Sequence, residues 1–406
     1  MNVVNGDFSI GKCVITISSI LDVHISKQAL WKKINSGAVS FFLYILQTLI
    51  SRKMGLDEVF VKEILTFFPR ILIQDSTIIP LHKSLFKFFP GSSNQNGASS
   101  SLKIQAVYNI LNSSFIFFDI TSFRKNDQSV APKLNFIQKG DLLIRDLGYF
   151  SSKSFREIIE MNAFFLSKLK YGVKLFNNNE DKSLNLLKLL KGKSTIDINI
   201  KLGCHEQLPV RLVGEKLPND VAAKRRREYK NNRDQKLNPS KEHLEMLGWN
   251  LFITNIPSSI WSTFTVVKVY SLRWRIEIIF KSWKSCLDFD FKKQKCSPEQ
   301  IRLMIYARLI VVTLVHTNYF SRFNAKVIKI YNRQLSLLKF MKLFAGNPDR
   351  MLELFETSNT RKQKLLMDIL IKNVAYEKRK RLNYIERMLC LDLEQSELLQ
   401  WQVKAP

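Results

Sequence analysis

The chain has 406 residues, 46% of them apolar, with 63 Lys and Arg against 35 Asp and Glu, a formal net charge of +28. That length exceeds one small domain, and the charge points to a polyanionic partner, most simply nucleic acid. The basic residues are spread along the chain and not gathered in one amphipathic segment, which excludes a membrane-surface partner; five scattered cysteines without a C-x2-C pair exclude a zinc site or a disulfide framework and suit a reducing, cytoplasmic compartment.

The start, MNVVNGDFSIGKC, has no basic stretch followed by an apolar run, so no signal peptide is expected. Residues 1–69 read as an N-terminal helical region, a candidate for DNA binding, with apolar runs at 39–50 and 58–68. Residues 70–170 carry strand-like runs, ILIQDSTII (71–79), LKIQAVYNI (102–110), SFIFFDIT (114–121), DLLIRDLGYF (141–150) and AFFLSKL (163–169). Helix-like SSKSFREIIEM lies among them, an α/β pattern, and GSSNQNGASSS (91–101) reads as a flexible loop. Residues 171–249 look like a β-rich insertion, with an Asn-rich turn (FNNNEDK), strands at 195–202 and 208–214, and the basic run AAKRRREYKNNRDQK. Strand-like WNLFITNI resumes the α/β core over 250–290. The remainder, 291–406, is helical in pattern and more basic than the N-terminal region, a candidate for dimerisation and DNA contacts. Its longest aliphatic stretch, Leu309–Val315, is too short to span a bilayer and predicts a buried helix segment.

The segment VVKVYSLRWRIEIIFKSWKSCLDF holds Tyr270, Arg273, Glu277 and Lys284 at the spacing Y-x2-R-x3-E-x6-K. On one helix at about 100° per residue these four share a stripe roughly 60° wide. Leu272, Ile276, Ile279, Phe280, Trp283 and Leu287 form the adjoining core face. A carboxylate flanked by two cations and a phenol suits a metal-binding acid beside phosphate-holding groups; the alternative is an amphipathic helix with a solvated charged face. Trp274 and Trp283 are expected in the core.

A metal-binding glutamate needs partners, because hard divalent cations take several oxygen ligands. Asp75 closes the apolar run RILIQD and Asp146 closes DLLIRD, each where a strand is expected to meet a loop. Ligands gather at the carboxyl ends of strands in α/β sheets. The alternative is that either acid forms a turn or caps a helix, which suits Asp141 better than a ligand role. Asp119 and Asp127 are weaker candidates, and the five histidines show no ligand spacing.

With these residues placed, the sequence resembles the DDE transposases of bacterial insertion sequences, and within them the Y-R-E-K signature family, insertion sequence family four. The likeness runs over roughly residues 70–290. Asp75-Ser76-Thr77 is similar to the family's D-x-T, and Asp146-Leu147-Gly148-Tyr149 to its D-R-G-Y, departing at Leu147 where arginine is common. The resemblance implies a ribonuclease H-like core interrupted by an insertion. It implies that Asp75, Asp146 and Glu277 are catalytic and hold two Mg²⁺ ions, for which Mn²⁺ can substitute. Tyr270, Arg273 and Lys284 would bind DNA phosphates near a flipped base, with the run Lys224, Arg225, Arg226 and Arg227 as a backbone contact. The partners implied are double-stranded DNA, as transposon ends and target, and a second copy of the chain in a homodimer. The alternatives are an inactive DNA-binding inhibitor derived from a transposase, or a nuclease of the same fold without strand transfer.

Overall fold

A computed structural model describes residues 10–51, 65, 67–94, 97–131, 133–177, 182–232, 239–292 and 295–376. In chain order the elements begin with α1 (Ile10–Leu21), α2 (Lys27–Lys33), α3 (Ser36–Ser51), β1 (Ile71–Leu81), β2 (Pro90–Asn94), β3 (Gly97–Asn109) and β4 (Ser114–Ser122). Next come α4 (Asp127–Val130), β5 (Leu142–Arg145), α5 (Ser152–Glu160), β6 (Phe164–Lys168), β7 (Leu175–Phe176), α6 (Leu186–Leu190), β8 (Thr195–Leu202) and β9 (Leu208–Lys216). They are followed by α7 (Asn219–Asn232), α8 (Lys241–Met246), β10 (Trp249–Thr254), α9 (Thr263–Tyr270) and α10 (Trp274–Cys286). The last are α11 (Pro298–Thr313), α12 (Ser321–Tyr331), α13 (Leu337–Gly346), α14 (Pro348–Glu356) and α15 (Thr360–Ile369). The fold class is α/β, as expected. The apolar run over 58–64, residues 178–181 of the turn FNNNEDK and the helical pattern beyond 376 lie outside the described residues.

The elements form two compact units. The first holds α1–α3 and residues 75–125 and 275–376. Its sheet runs β2–β3–β1, with β4 on β3. The Ser-rich stretch 91–101 is not a loop: residues 90–94 and 97–109 form β2 and β3, an antiparallel hairpin. Phe89 O accepts both Ser101 N at 3.1 Å and Ser100 Oγ at 2.8 Å, so tertiary hydrogen bonds satisfy a backbone that composition alone marks as a loop. Aromatic side chains fill this unit's core. Trp283 meets Phe115, Phe118, Phe280 and Phe289, and Phe320, Phe340 and Phe355 continue the cluster. A capping box at Ser297 and Gln300, with Pro298 in the first turn, starts α11. Its helix continues through a π-helical stretch, Leu314–Phe320, into α12. This 34-residue helix is apolar and long enough to cross a membrane, but 67% of its most apolar window is buried within the protein. Leu309 and Val315 are core residues, as expected.

The second unit begins with the start of β1 and spans residues 126–274. Ile71–Gln74 pair in parallel with Leu142–Arg145, and β5 pairs in parallel with β6. Both segments are buried throughout, which explains their unbroken apolar sequences, ILI and LLI. β10 then pairs antiparallel with β6 on one side and β9 on the other, and β8 and β7 follow. The strands expected at 195–202 and 208–214 therefore form and extend the sheet through β10. Gly214 permits the close approach of β9 and β10, since a Cβ there would sit 2.7 Å from Asn250 O. Asp141, fully buried, is a structural acid: Arg70 Nε donates to it at 2.8 Å and Gln138 N at 2.7 Å.

Candidate active site

The first unit contributes an open pocket of about 560 Å³ lined by Asp75, Ser76, Thr77, Glu277, Phe280, Lys281, Lys284 and Ser285. Asp75 lies in the middle of β1 and not at its end, because the strand continues to Leu81. Its Oδ1 accepts the amide of Ser76 at 2.8 Å. Glu277 stands in the first turn of α10, and Lys281 and Lys284 follow one and two turns later on the same face. Partial burial lowers the Lys284 ammonium from its ordinary range. Lys281 was not singled out by sequence, although its i,i+4 spacing from Glu277 is a helical signal.

The expected single helix from Tyr270 to Lys284 is broken. α9 ends at Tyr270, a 3-10 turn spans Ser271–Arg273, and α10 starts at Trp274. A 3-10 turn advances about 120° per residue, so one projection at 100° does not describe Tyr270 and Arg273 together with Glu277 and Lys284. The core face is as expected: Leu272, Ile276, Ile279, Phe280, Trp283 and Leu287 are all buried. Trp274 is not in the core; it is 55% exposed, with the Arg273 guanidinium 5.2 Å from its ring.

The second unit contributes Asp146 and a group of cations. Asp146 follows β5 and opens the 3-10 turn Leu147–Tyr149 without a side-chain capping bond, leaving its carboxylate 45% exposed. Arg273 Nε lies 3.7 Å from Asp146 Oδ1. Lys168, on β6, has its ammonium 5.6 Å from the Tyr270 ring. Its pKa is lowered by burial and by the charges of Arg225 and Arg273, against the pull of Asp146. Lys168 was missed because a lone lysine in a strand carries no spacing signal. Tyr270 itself is buried; its hydroxyl donates to Arg145 O at 3.3 Å and its ring packs on Phe252.

The basic run lies on α7, where the structure divides it. Arg225 donates to Asn250 Oδ1 at 3.1 Å and Arg226 to Leu244 O at 2.8 Å, so both are tethered to the protein. Lys224, 3.9 Å from Glu228, and Arg227 are exposed. Asp119 is paired opposite Gln105 within the β3–β4 ladder, and Asp127 begins α4.

Asp75 and Glu277 bring two carboxylates to one pocket, a donor set that fits a hard divalent cation completing its shell with water or phosphate oxygens. Among the described residues no three His, Cys, Asp or Glu side chains are close enough to hold an ion unaided.

An α/β protein that presents acids and lysines together in one open pocket, on so basic a chain, has the parts of a metal-dependent enzyme acting on nucleic acid. Residues 66–314 match the family described as Transposase DDE domain, and the chain belongs to it. It is a DDE transposase with a ribonuclease H-like core, it binds DNA, and it depends on a divalent metal. It is 30% identical over 360 residues to the transposase for insertion sequence element IS1151 of Clostridium perfringens, covering 83% of this chain and 75% of that protein. It is 26% identical over 373 residues to the transposase for insertion sequence element IS231B of Bacillus thuringiensis subsp. berliner, covering 86% and 77%. The piggyBac transposase synaptic complex with hairpin DNA is a distant structural likeness, with a TM-score of 0.40 and 9% identity over 95% of this chain and 86% of that one.

Proposed function

We propose that Asp75, Asp146 and Glu277 are the three acids of this DDE transposase and hold two Mg²⁺ ions. On this reading it cuts at the terminal inverted repeats of an insertion sequence and transfers the 3′ ends to target DNA. The observation that carries the proposal is the shared pocket of Asp75 and Glu277 with Lys281 and Lys284 on its wall. Asp146 immediately follows Arg145, the last paired residue of β5. When bound, the ions supply Lewis-acid stabilisation to the attacking and leaving oxygens of an in-line displacement. The chain's own residues then have three tasks. The acids would hold the ions. Lys281, Lys284 and Arg273 neutralise neighbouring phosphates, Arg273 with a planar fork suited to two oxygens. Tyr270, the phenol of the signature, supports the site from beneath, through the Arg145 carbonyl. Lys224 and Arg227 extend the contact along the DNA backbone, with Arg225 and Arg226 holding α7 in place.

Two ends must be brought together for transfer, so the active species is a homodimer, acting in the cytoplasm. In a strand-transfer assay with pre-cut ends and supercoiled target, the wild type should yield joined product in Mg²⁺. Glu277→Ala should yield none while still binding end DNA. Full transfer by Glu277→Ala would refute the assignment; cleavage without joining by the wild type would make the protein a nuclease of this fold.

A further inference from the structure

Gln74 and Arg145 face each other at the last pair of the parallel β1–β5 ladder, one residue before Asp75 and Asp146. Their side chains are 0% and 2% exposed. Arg145 Nε donates to Gln74 Oε1 at 2.8 Å, and Arg145 Nη1 donates to Ser154 Oγ at 2.7 Å. The Ser154 hydroxyl passes the chain on to Ala131 O at 2.9 Å. The Arg145 carbonyl accepts the Tyr270 hydroxyl, and the guanidinium lies 5.6 Å from the Tyr149 ring.

A guanidinium and an amide in a sheet interior are costly to bury, and here the burial is incompletely compensated. Arg145 Nη2 and Gln74 Nε2 have no hydrogen-bond partner among the described residues. The preceding pairs of the same ladder, Leu72↔Leu143 and Ile73↔Ile144, are apolar and fully buried, so packing alone would be met by two more aliphatic residues. What an apolar pair lacks is direction. A slip of one residue turns every side chain of a strand to the opposite face, and a side-chain hydrogen bond across the final pair fixes both register and strand-end rotation.

We propose that Gln74 and Arg145 are positioning residues: their buried hydrogen bond sets the angle at which Asp146 leaves β5, and thereby the affinity for the divalent ion. This rests on the assignment of Asp75 and Asp146 as metal-holding acids.

The test uses the full chain and the Mg²⁺ concentration for half-maximal cleavage of end DNA, with unfolding midpoint and DNA affinity measured alongside. The double variant Gln74→Met/Arg145→Met removes both polar partners and leaves none stranded, so it should fold. It should bind DNA like the wild type but need about 10- to 100-fold more Mg²⁺, the usual effect of losing a partner behind the ligands. Gln74→Met alone should shift the Mg²⁺ requirement in the same direction, and Arg145→Lys should recover part of it. A folded double variant with the wild-type Mg²⁺ requirement would overturn the proposal while leaving the assignment intact, provided Asp75→Ala and Asp146→Ala abolish cleavage. Cleavage retained by those two variants would overturn the assignment and the positioning role together.

Discussion

Glu277, Lys281 and Lys284 show how one helix can serve both the ion and the phosphate. Their four- and seven-residue spacing puts them above one another on the wall that also carries Asp75. If the lysines meet DNA backbone, each neutralises one phosphate and releases its counterions. Lys281→Ala and Lys284→Ala should then each weaken DNA binding at low salt. Each should also flatten the slope of log affinity against log salt by about 0.9. An unchanged slope in both variants would place the lysines off the DNA. The three proposed acids stand out in the sequence, Asp75 and Asp146 because a carboxylate ending an apolar run needs a reason and Glu277 because of its helical spacing to two cations. Lys168 was not, since its importance lies in Asp146, Arg225 and Arg273 around it, from three other parts of the chain.

At the scale of elements, α10 was the most readable part of the chain, because its apolar positions recur at helical spacing. Trp283 is 1% exposed and touches four other rings, whereas Trp274 is 55% exposed. Trp283→Ala should therefore cost about 3–5 kcal/mol in denaturant unfolding. Trp274→Ala should change stability by no more than about 0.5 kcal/mol. Equal losses would mean that the helix is rotated from the described orientation. Periodicity could not distinguish the 3-10 turn at Ser271–Arg273 from continued α-helix, because three residues are too few to fix a period. The β2–β3 hairpin was hidden for a different reason. Gly, Ser and Asn resemble a loop by composition, and only pairing partners make them strands.

At the scale of the whole molecule, stability should depend on pH through His316, buried in the π-helical stretch with Tyr108 and Phe320 around it. Burial, and then the Arg275 charge, hold its pKa well below the ordinary value. The folded state refuses a proton that the unfolded chain accepts below about pH 6.5. Its contribution is therefore complete above that pH and lost as pH falls toward the folded pKa, at up to about 1.4 kcal/mol per pH unit. Unfolding midpoints should fall below about pH 6.5 in the wild type and fall less steeply in His316→Phe, whose ring suits the surrounding aromatics. Parallel curves would assign the pH dependence to other groups.

The sequence by itself determined the α/β class, the polyanionic partner and the residue types that can do phosphoryl chemistry, because periodicity, net charge and acid placement are local properties. It could also rank Asp141 as structural, since that acid precedes its apolar run where Asp75 and Asp146 follow theirs. Only the tertiary structure decided that β1 runs on past Asp75, that Arg225 and Arg226 are tethered while Lys224 and Arg227 are free to face solvent, and that Gln74 and Arg145 form a pair. Gln74 and Arg145 stand 71 residues apart, and a hydrogen bond between them exists only once two strands choose their register. That choice depends on the free energy of the whole sheet, which no window of sequence contains.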